Sequence, residues 1–76
     1  MNIEFSDHAK KQIKERKIQK SHVASVVEKP TRKVKSFGNR MLLQKRFGSK
    51  ILEVVTVREK SQVTVITAYY LEEDEN

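Results

Sequence analysis

The sequence predicts a small α+β domain in which two N-terminal helices pack on one face of a four-stranded antiparallel sheet. Within Lys50–Tyr70, two β-branched runs flank a polar turn, which is typical of a buried β-hairpin. The N-terminal third has apolar residues at helical spacing. The segment between contains two glycine dipeptides that suit tight hairpin turns. Asn2–Phe5 is a candidate fifth strand at the sheet edge.

The length of 76 residues predicts one domain with one hydrophobic core. We expect the folded domain to occupy residues 1–71 and the acidic residues 72–76 to form a disordered tail. The chain has no cysteine, which excludes disulfides and thiolate chemistry. No signal peptide is visible, and no apolar run approaches the roughly 20 residues that cross a bilayer. These features predict a soluble, cytoplasmic protein without a membrane partner.

The chain is basic except for its acidic C-terminal end. The sequence has 16 Lys and Arg against 10 Asp and Glu, a net charge of +6, and every basic residue precedes residue 61. Residues 29–50 contain eight basic residues and no acidic one. A field of this sign attracts nucleic acid, an anionic membrane surface or an acidic protein. The ordinary alternative is a basic surface that is merely solvated.

Two helices are predicted before the main strands. Ser6 is the expected N-cap of the first helix, Asp7–Arg16, and Arg16 falls on its buried stripe. The second helix, Lys20–Glu28, has valines on its apolar side and ends before Pro30.

The hairpin turns determine which side chains share a face of the sheet, because residues paired across two strands point the same way. We expect two-residue loops at Gly38-Asn39, Gly48-Ser49 and Lys60-Ser61. The resulting registers pair Lys35 with Leu42, Gln44 with Glu53, and Ile51 with Tyr70.

With these registers, the two faces of the sheet differ in character. The face covered by the helices is apolar and contains Val34, Met41, Leu43, Phe47, Leu52, Val54, Val63 and Val65. The opposite face is basic with two aromatic rings, and it has no helix left to cover it. Cations and rings together are typical of a surface that binds single-stranded nucleic acid. The residues predicted to bind RNA are Lys33, Lys35, Phe37, Arg40 and Arg46.

The basic face also carries groups that suit RNA cleavage without a metal, in which the 2′-OH attacks the adjacent phosphate. Arg40 and Arg46 are candidates to stabilise the phosphate, and Glu53 and Tyr70 are candidates to exchange protons. A tyrosine, with an ordinary pKa of about 10, acts as a base near neutral pH only if cations lower that pKa. Glu53 equally suits a structural role in a cross-strand ion pair.

The two histidines are His8 and His22. His8, in the first turn of the first helix, is a candidate catalytic residue if that turn reaches the basic face; capping or packing is its alternative role. His22 is expected to be a solvated helix residue. Two histidines without a carboxylate cluster do not form a metal site. The chain also has no Gly-rich phosphate loop or nucleophile elbow, so we expect neither a metal nor a cofactor.

Short motifs spread over nearly all of residues 3–70 form a recognisable combination. They are Phe5-Ser6-Asp7-His8-Ala9, Glu15-Arg16-Lys17-Ile18, Val23, Glu28-Lys29-Pro30, Leu52-Glu53-Val54-Val55 and Val65-Ile66-Thr67-Ala68-Tyr69. In this combination the chain resembles a family of small uncharacterised bacterial, archaeal and phage proteins grouped with the RelE/ParE-like toxin superfamily.

The resemblance implies a RelE-like fold and a toxin that cleaves messenger RNA, often on the ribosome, and is neutralised by an antitoxin protein. RelE-type ribonucleases use Lys and Arg on the sheet and a tyrosine near the C-terminus, roles that Arg46 and Tyr70, or Tyr69, would fill here. His8 and Arg16 match the family motif, which assigns them no chemical role. The acidic tail stands where several toxins have a C-terminal helix.

Three hypotheses about function follow. The first is a metal-independent ribonuclease of RelE-like type, and the second is a non-catalytic module that binds nucleic acid or the ribosome. The third is a protein-interaction domain whose open sheet face or edge receives a partner, with the acidic tail shielding the basic face until then.

Overall fold

The computed structural model describes residues 2–72, which form two helices and a five-stranded sheet of α+β architecture. The elements in chain order are β1 (Asn2–Phe5), α1 (Asp7–Glu15), α2 (Lys20–Glu28), β2 (Arg32–Lys35), β3 (Arg40–Phe47), β4 (Lys50–Glu59) and β5 (Gln62–Glu72). Of the predicted acidic tail, Glu72 is the last residue of β5 and the rest lies outside the described residues. No helix within residues 2–72 is long and apolar enough to cross a membrane.

The sheet is mixed rather than purely antiparallel. Its strand order is β1-β5-β4-β3-β2, in which β2 to β5 pair antiparallel and β1 pairs parallel to β5. The candidate fifth strand is therefore confirmed, and the prediction of a purely antiparallel sheet is wrong. The parallel pairing arises because the chain leaves β1 directly into α1 and returns beside it only after the whole meander.

Both helices begin where the sequence predicts. The Ser6 hydroxyl accepts a hydrogen bond from the Ala9 N–H at 3.0 Å and caps α1. α1 ends at Glu15, one residue earlier than expected, and Lys17 follows with a left-handed φ of 57°. Arg16 is consequently a solvent-exposed capping residue instead of part of the buried stripe.

The hydrophobic core lies between the helices and one face of the sheet. Its sheet residues agree with the predicted apolar face except at Val34, which lies on the other side. The buried core comprises Ala9, Ile13, Ile18, Val23, Val26, Val27, Leu43, Leu52, Val54, Val63, Val65 and Ala68. We call the face of the sheet opposite the helices the open face.

Only the middle hairpin has the predicted register throughout. The Gly48-Ser49 turn pairs Phe47 with Lys50 and Gln44 with Glu53, and Gly48 has the positive φ of 65° expected of a type II′ turn.

The β2–β3 register is one residue away from the prediction. Lys35 pairs with Met41, and the Ser36 N–H donates to the Arg40 carbonyl at 3.0 Å, so the loop has three residues rather than two. Because side chains alternate along a strand, this shift puts Lys33 and Lys35 on the helix side and Arg32 and Val34 on the open face.

The β4–β5 register begins as predicted, with Arg58 opposite Val63, and then shifts at a β-bulge. Thr56 pairs with Val65, whereas its neighbour Val55 pairs with Thr67. The bulge at residue 66 reverses the predicted sides of the two tyrosines beyond it.

We expect the two faces of the sheet to respond differently to truncation. Leu52 is fully buried in the core, so Leu52→Ala should lower the free energy of unfolding by about 2–5 kcal/mol. Leu42 on the open face is only half-buried, so Leu42→Ala should cost clearly less. Urea unfolding followed by circular dichroism measures both, and equal losses would contradict the assignment of the core to the helix side.

Candidate functional site

The basic, aromatic face expected from the sequence is only partly assembled. Arg40, Arg46 and Glu53 share the open face, where both arginines are exposed. Lys33 and Lys35 lie on the helix side because of the three-residue β2–β3 loop.

Neither of the predicted aromatic residues lies on the open face. Phe37 projects from the β2–β3 loop and is 93% exposed. Tyr70 pairs with Leu52 and packs against the core from the helix side, with the Lys50 ammonium 5.8 Å from its ring centre. The bulge in β5 is the reason, because it turns Tyr69 towards the open face in place of Tyr70.

A row of polar side chains crosses the open face from strand to strand. In register, Arg32 of β2 lies beside Gln44 of β3, Gln44 beside Glu53 of β4, and Glu53 beside Tyr69 of β5. Neighbouring strands are about 4.8 Å apart, so these four residues span about 14 Å. With Arg16, which adjoins Tyr69 from α1, they form what we call the polar row.

Glu53 is the centre of the polar row. Only 6% of the residue is exposed, and its two carboxylate oxygens have different partners. The Gln44 amide donates to Oε1 at 2.5 Å, and the Tyr69 hydroxyl donates to Oε2. A buried carboxylate on a face without a covering helix is held by these charge-assisted hydrogen bonds.

The pKa of Tyr69 is raised from 10.0 to about 12. Its hydrogen bond to Glu53 is the largest cause, followed by burial and the negative charge of that carboxylate, while Arg16 acts in the opposite direction. Tyr69 is therefore a protonated hydrogen-bond donor at neutral pH, and the expectation of a tyrosine whose pKa is lowered by cations does not describe it.

α1 supplies the end of the polar row because β1 is short. β1 covers the edge of β5 only along residues 62–65, and the chain then turns into α1, which continues along that edge. The Thr67 hydroxyl donates to the Gln12 side-chain carbonyl, and Arg16 Nη1 donates to the Ala68 carbonyl at 2.8 Å. These contacts hold the Arg16 guanidinium where its charge acts on Tyr69.

The two histidines have different surroundings. His8 is exposed and falls on the same stripe of α1 as Gln12 and Arg16, at spacings of four and eight residues. His22 is half-buried instead of solvated, and its ring stacks on Phe47 with centroids 4.5 Å apart. Packing on the helix side accounts for His22, whereas His8 lies in the first turn of α1, at the opposite end of the helix from Arg16.

Two further features surround the polar row. Aliphatic residues flank it in the adjoining registers, among them Leu42, Val55 and Ile51. A depression of about 270 Å³ adjoins Gln44 and is bordered by Arg32 and Arg46. Lys45 also lines it, but its ammonium lies on the helix side, where it donates to the Ser25 hydroxyl at 2.7 Å. The open face thus combines a central carboxylate with cations at its margin. No group of three or more His, Asp or Glu residues that could hold a metal ion occurs among residues 2–72.

Sequence reasoning missed Arg16 and Arg32 as site residues and treated Tyr69 only as an alternative. Arg16 and Tyr69 both belong to the motifs that carry the family resemblance. Membership in those motifs is the signal that could have identified them as site residues. Nothing in the local sequence around Arg32 indicates its side of the sheet.

A family model described as a domain of unknown function, DUF4258, matches residues 5–70. Neither a search of curated proteins nor a search of solved structures found a match for this chain.

The raised pKa of Tyr69 predicts a pH dependence. Stability from its hydrogen bond to Glu53 should be present below about pH 10 and lost as the pH rises towards about 12, because the folded state holds the proton more tightly. The chain has two tyrosines and no tryptophan. The difference in phenolate absorbance between the protein and Tyr69→Phe therefore reports Tyr69 alone.

Replacing the acceptor is the matched control for this titration. Glu53→Gln removes the carboxylate charge, so phenolate should form at a lower pH than in the unmodified protein. An unchanged titration of Tyr69 in this variant would contradict the assigned cause.

Proposed function

The chain belongs to this family of unknown function, DUF4258, and we propose from its own residues that it binds single-stranded RNA and cleaves it without a metal ion. The observation that carries the proposal is the convergence of Arg16, Glu53 and Tyr69 in one row on the open face. An anion-stabilising group and a proton acceptor thus lie side by side.

The proposed reaction uses the RNA 2′-OH as nucleophile. Its proton passes to the Tyr69 oxygen as Tyr69 passes its own proton to Glu53, so the negative charge of the carboxylate is consumed. The 2′-oxygen forms a bond to phosphorus while the bond from phosphorus to the 5′-oxygen breaks. The products are a 2′,3′-cyclic phosphate and a 5′-hydroxyl.

Two other groups have roles in this reaction. Arg16 stabilises the negative charge that develops on the phosphate oxygens. The leaving 5′-oxygen must gain a proton, and His8, on the same stripe of α1, is the group we assign to supply it. The acid and the base therefore come from different elements, α1 and the sheet.

Binding is assigned to the cations on the β2–β3 side of the central carboxylate. Arg32 and Arg46 border the depression next to Gln44, where a neighbouring phosphate would lie. The net charge of +6 favours association with a polyanion at a distance. The RelE-like identity, the ribosome as the place of cleavage and an antitoxin as a partner protein are parts of the same proposal, and they rest on the sequence resemblance.

A second candidate function is non-catalytic. Glu53 is buried with both oxygens hydrogen-bonded, an arrangement that also suits a purely structural carboxylate. In that case the polar row would join the four strands, and the aliphatic residues beside it would contact an RNA base or a partner protein.

Cleavage of an unstructured RNA, alone and with ribosomes, tests the catalytic proposal. Glu53→Gln, Tyr69→Phe and Arg16→Ala should each lower the rate by about 100-fold or more, since each removes a proton-transfer or charge-stabilising group. Lys14→Ala is the matched control, because it removes a positive charge from the same helix. It should cleave at nearly the original rate.

A substrate control separates chemistry from binding. RNA with a single 2′-deoxy nucleotide at the cut site should bind as before and resist cleavage there. Cleavage at the deoxy position would exclude the proposed nucleophile, and binding without any cleavage of the normal RNA would leave the non-catalytic function.

A further inference from the structure

Four basic residues line a concave site at one end of the sheet, away from the polar row. Because Arg40 pairs with Val57, the β2–β3 loop and the β4–β5 turn lie at the same end. A trough of about 410 Å³ lies between them and includes Gly38 and Asn39 of the loop. Its basic residues are Lys35 and Arg58 from the helix side of the sheet, Arg40 from the open face and Lys60 from the turn, and we call this site the basic trough.

The charge of the basic trough is not neutralised within the described chain. None of its four cations donates a side-chain hydrogen bond or forms an ion pair among residues 2–72, and no carboxylate lines the trough. The adjoining groove next to α2 includes Glu28, so the excess positive charge is greatest at the loop end. Like charges gathered in a concave site repel one another, and a bound anion would relieve this repulsion.

An exposed aromatic ring belongs to the same loop that lines the trough. Phe37 is the large hydrophobic residue that the described part of the chain leaves most exposed, at 93%, and it occupies the loop that forms one wall of the trough. Burial does not explain this ring, since it has little contact with the domain. A flat apolar surface next to cations is what an unpaired base with its phosphates requires.

We propose that the basic trough and Phe37 form a second binding site for single-stranded nucleic acid, which holds backbone phosphates and stacks one base. This inference takes RNA as the ligand and so rests on the proposed function. It adds the place to which the RNA extends beyond the polar row. Val57, the partner of Arg40, lies four residues along β4 from Glu53, so Arg40, where the open face meets the trough, is about 13 Å from the polar row. At a stacked spacing of about 3.4 Å, roughly four nucleotides cover it.

This separation assigns the trough a role in positioning. A dinucleotide can occupy the polar row alone, whereas a chain of about six or more nucleotides can also reach the trough. The trough then increases affinity for long strands and selects which phosphate lies next to Glu53. An RNA duplex offers phosphates without an unpaired base, so it should gain nothing from Phe37.

Affinity for a labelled ten-nucleotide uridine RNA, measured by fluorescence anisotropy at several salt concentrations, tests the proposal. Arg58→Ala/Lys60→Ala should weaken binding about tenfold or more and lower the slope of log affinity against log salt by about 1.4, at about 0.7 per phosphate contact. Lys10→Ala/Lys14→Ala removes the same charge from the exposed side of α1 and should change both quantities much less.

The aromatic ring is tested separately. Phe37→Ala should weaken binding roughly 5- to 150-fold, the range found for the loss of one stacked base, and Phe37→Tyr should restore it. Phe37 is exposed, so circular dichroism should show that both variants fold. The same variants should not alter affinity for a duplex of equal length or cleavage of a dinucleotide.

The outcomes separate this inference from the proposed function. Equal losses of RNA affinity in Arg58→Ala/Lys60→Ala and in Lys10→Ala/Lys14→Ala would contradict the trough as a binding site. RNA would then bind elsewhere on the protein. Binding of inorganic phosphate to the trough without any effect of Phe37 would overturn the nucleic-acid assignment. A protein that binds the RNA through the trough but does not cleave it would support the trough while contradicting the catalytic proposal. If no RNA binds, both fail.

Discussion

The register of β5 against β4 is the constraint on which the open face depends. Up to Val65 the two strands follow the spacing set by their turn, and beyond it one extra residue shifts every pair. The shift places Tyr69 opposite Glu53 and returns Tyr70 to the core side. A buried carboxylate must be hydrogen-bonded, and the bulge places the phenol of Tyr69 where it donates to Glu53. The bulge in β5 and the hydrogen bonding of Glu53 therefore stabilise each other.

The edge of β5 is covered by two different elements. An exposed strand edge presents unpaired backbone groups that can pair with another chain. β1 covers residues 62–65, and α1 covers the following residues through Gln12 and Arg16. Arg16 thus has two roles, since the side chain that satisfies the Ala68 carbonyl also brings positive charge to Tyr69. Protection of the edge and assembly of the candidate site therefore use the same contacts.

The size of the domain explains why its candidate sites lie on surfaces. A chain of 76 residues buries one core between two helices and one sheet face, and little apolar material remains to enclose a cavity. Positive charge is divided between the depression beside Gln44 and the basic trough, which lie towards opposite ends of the long strand β4. A flexible polyanion suits this arrangement better than a small enclosed substrate does, because it can follow both regions at once.

The sequence by itself determined the elements and the core. Apolar spacing and the Ser6 cap placed both helices, and the Gly48-Ser49 turn placed the β3–β4 register, because each depends on a few neighbouring residues. The sides of Lys35 and Tyr70 were decided only in the folded sheet. A three-residue loop and a bulge cost little locally, yet the loop reverses the sides of β2 and the bulge reverses the sides of β5 beyond residue 66. Arg16 meets the Ala68 carbonyl, next to Tyr69, across 52 residues of sequence separation only because α1 continues where β1 stops, a long-range contact that no local pattern contains.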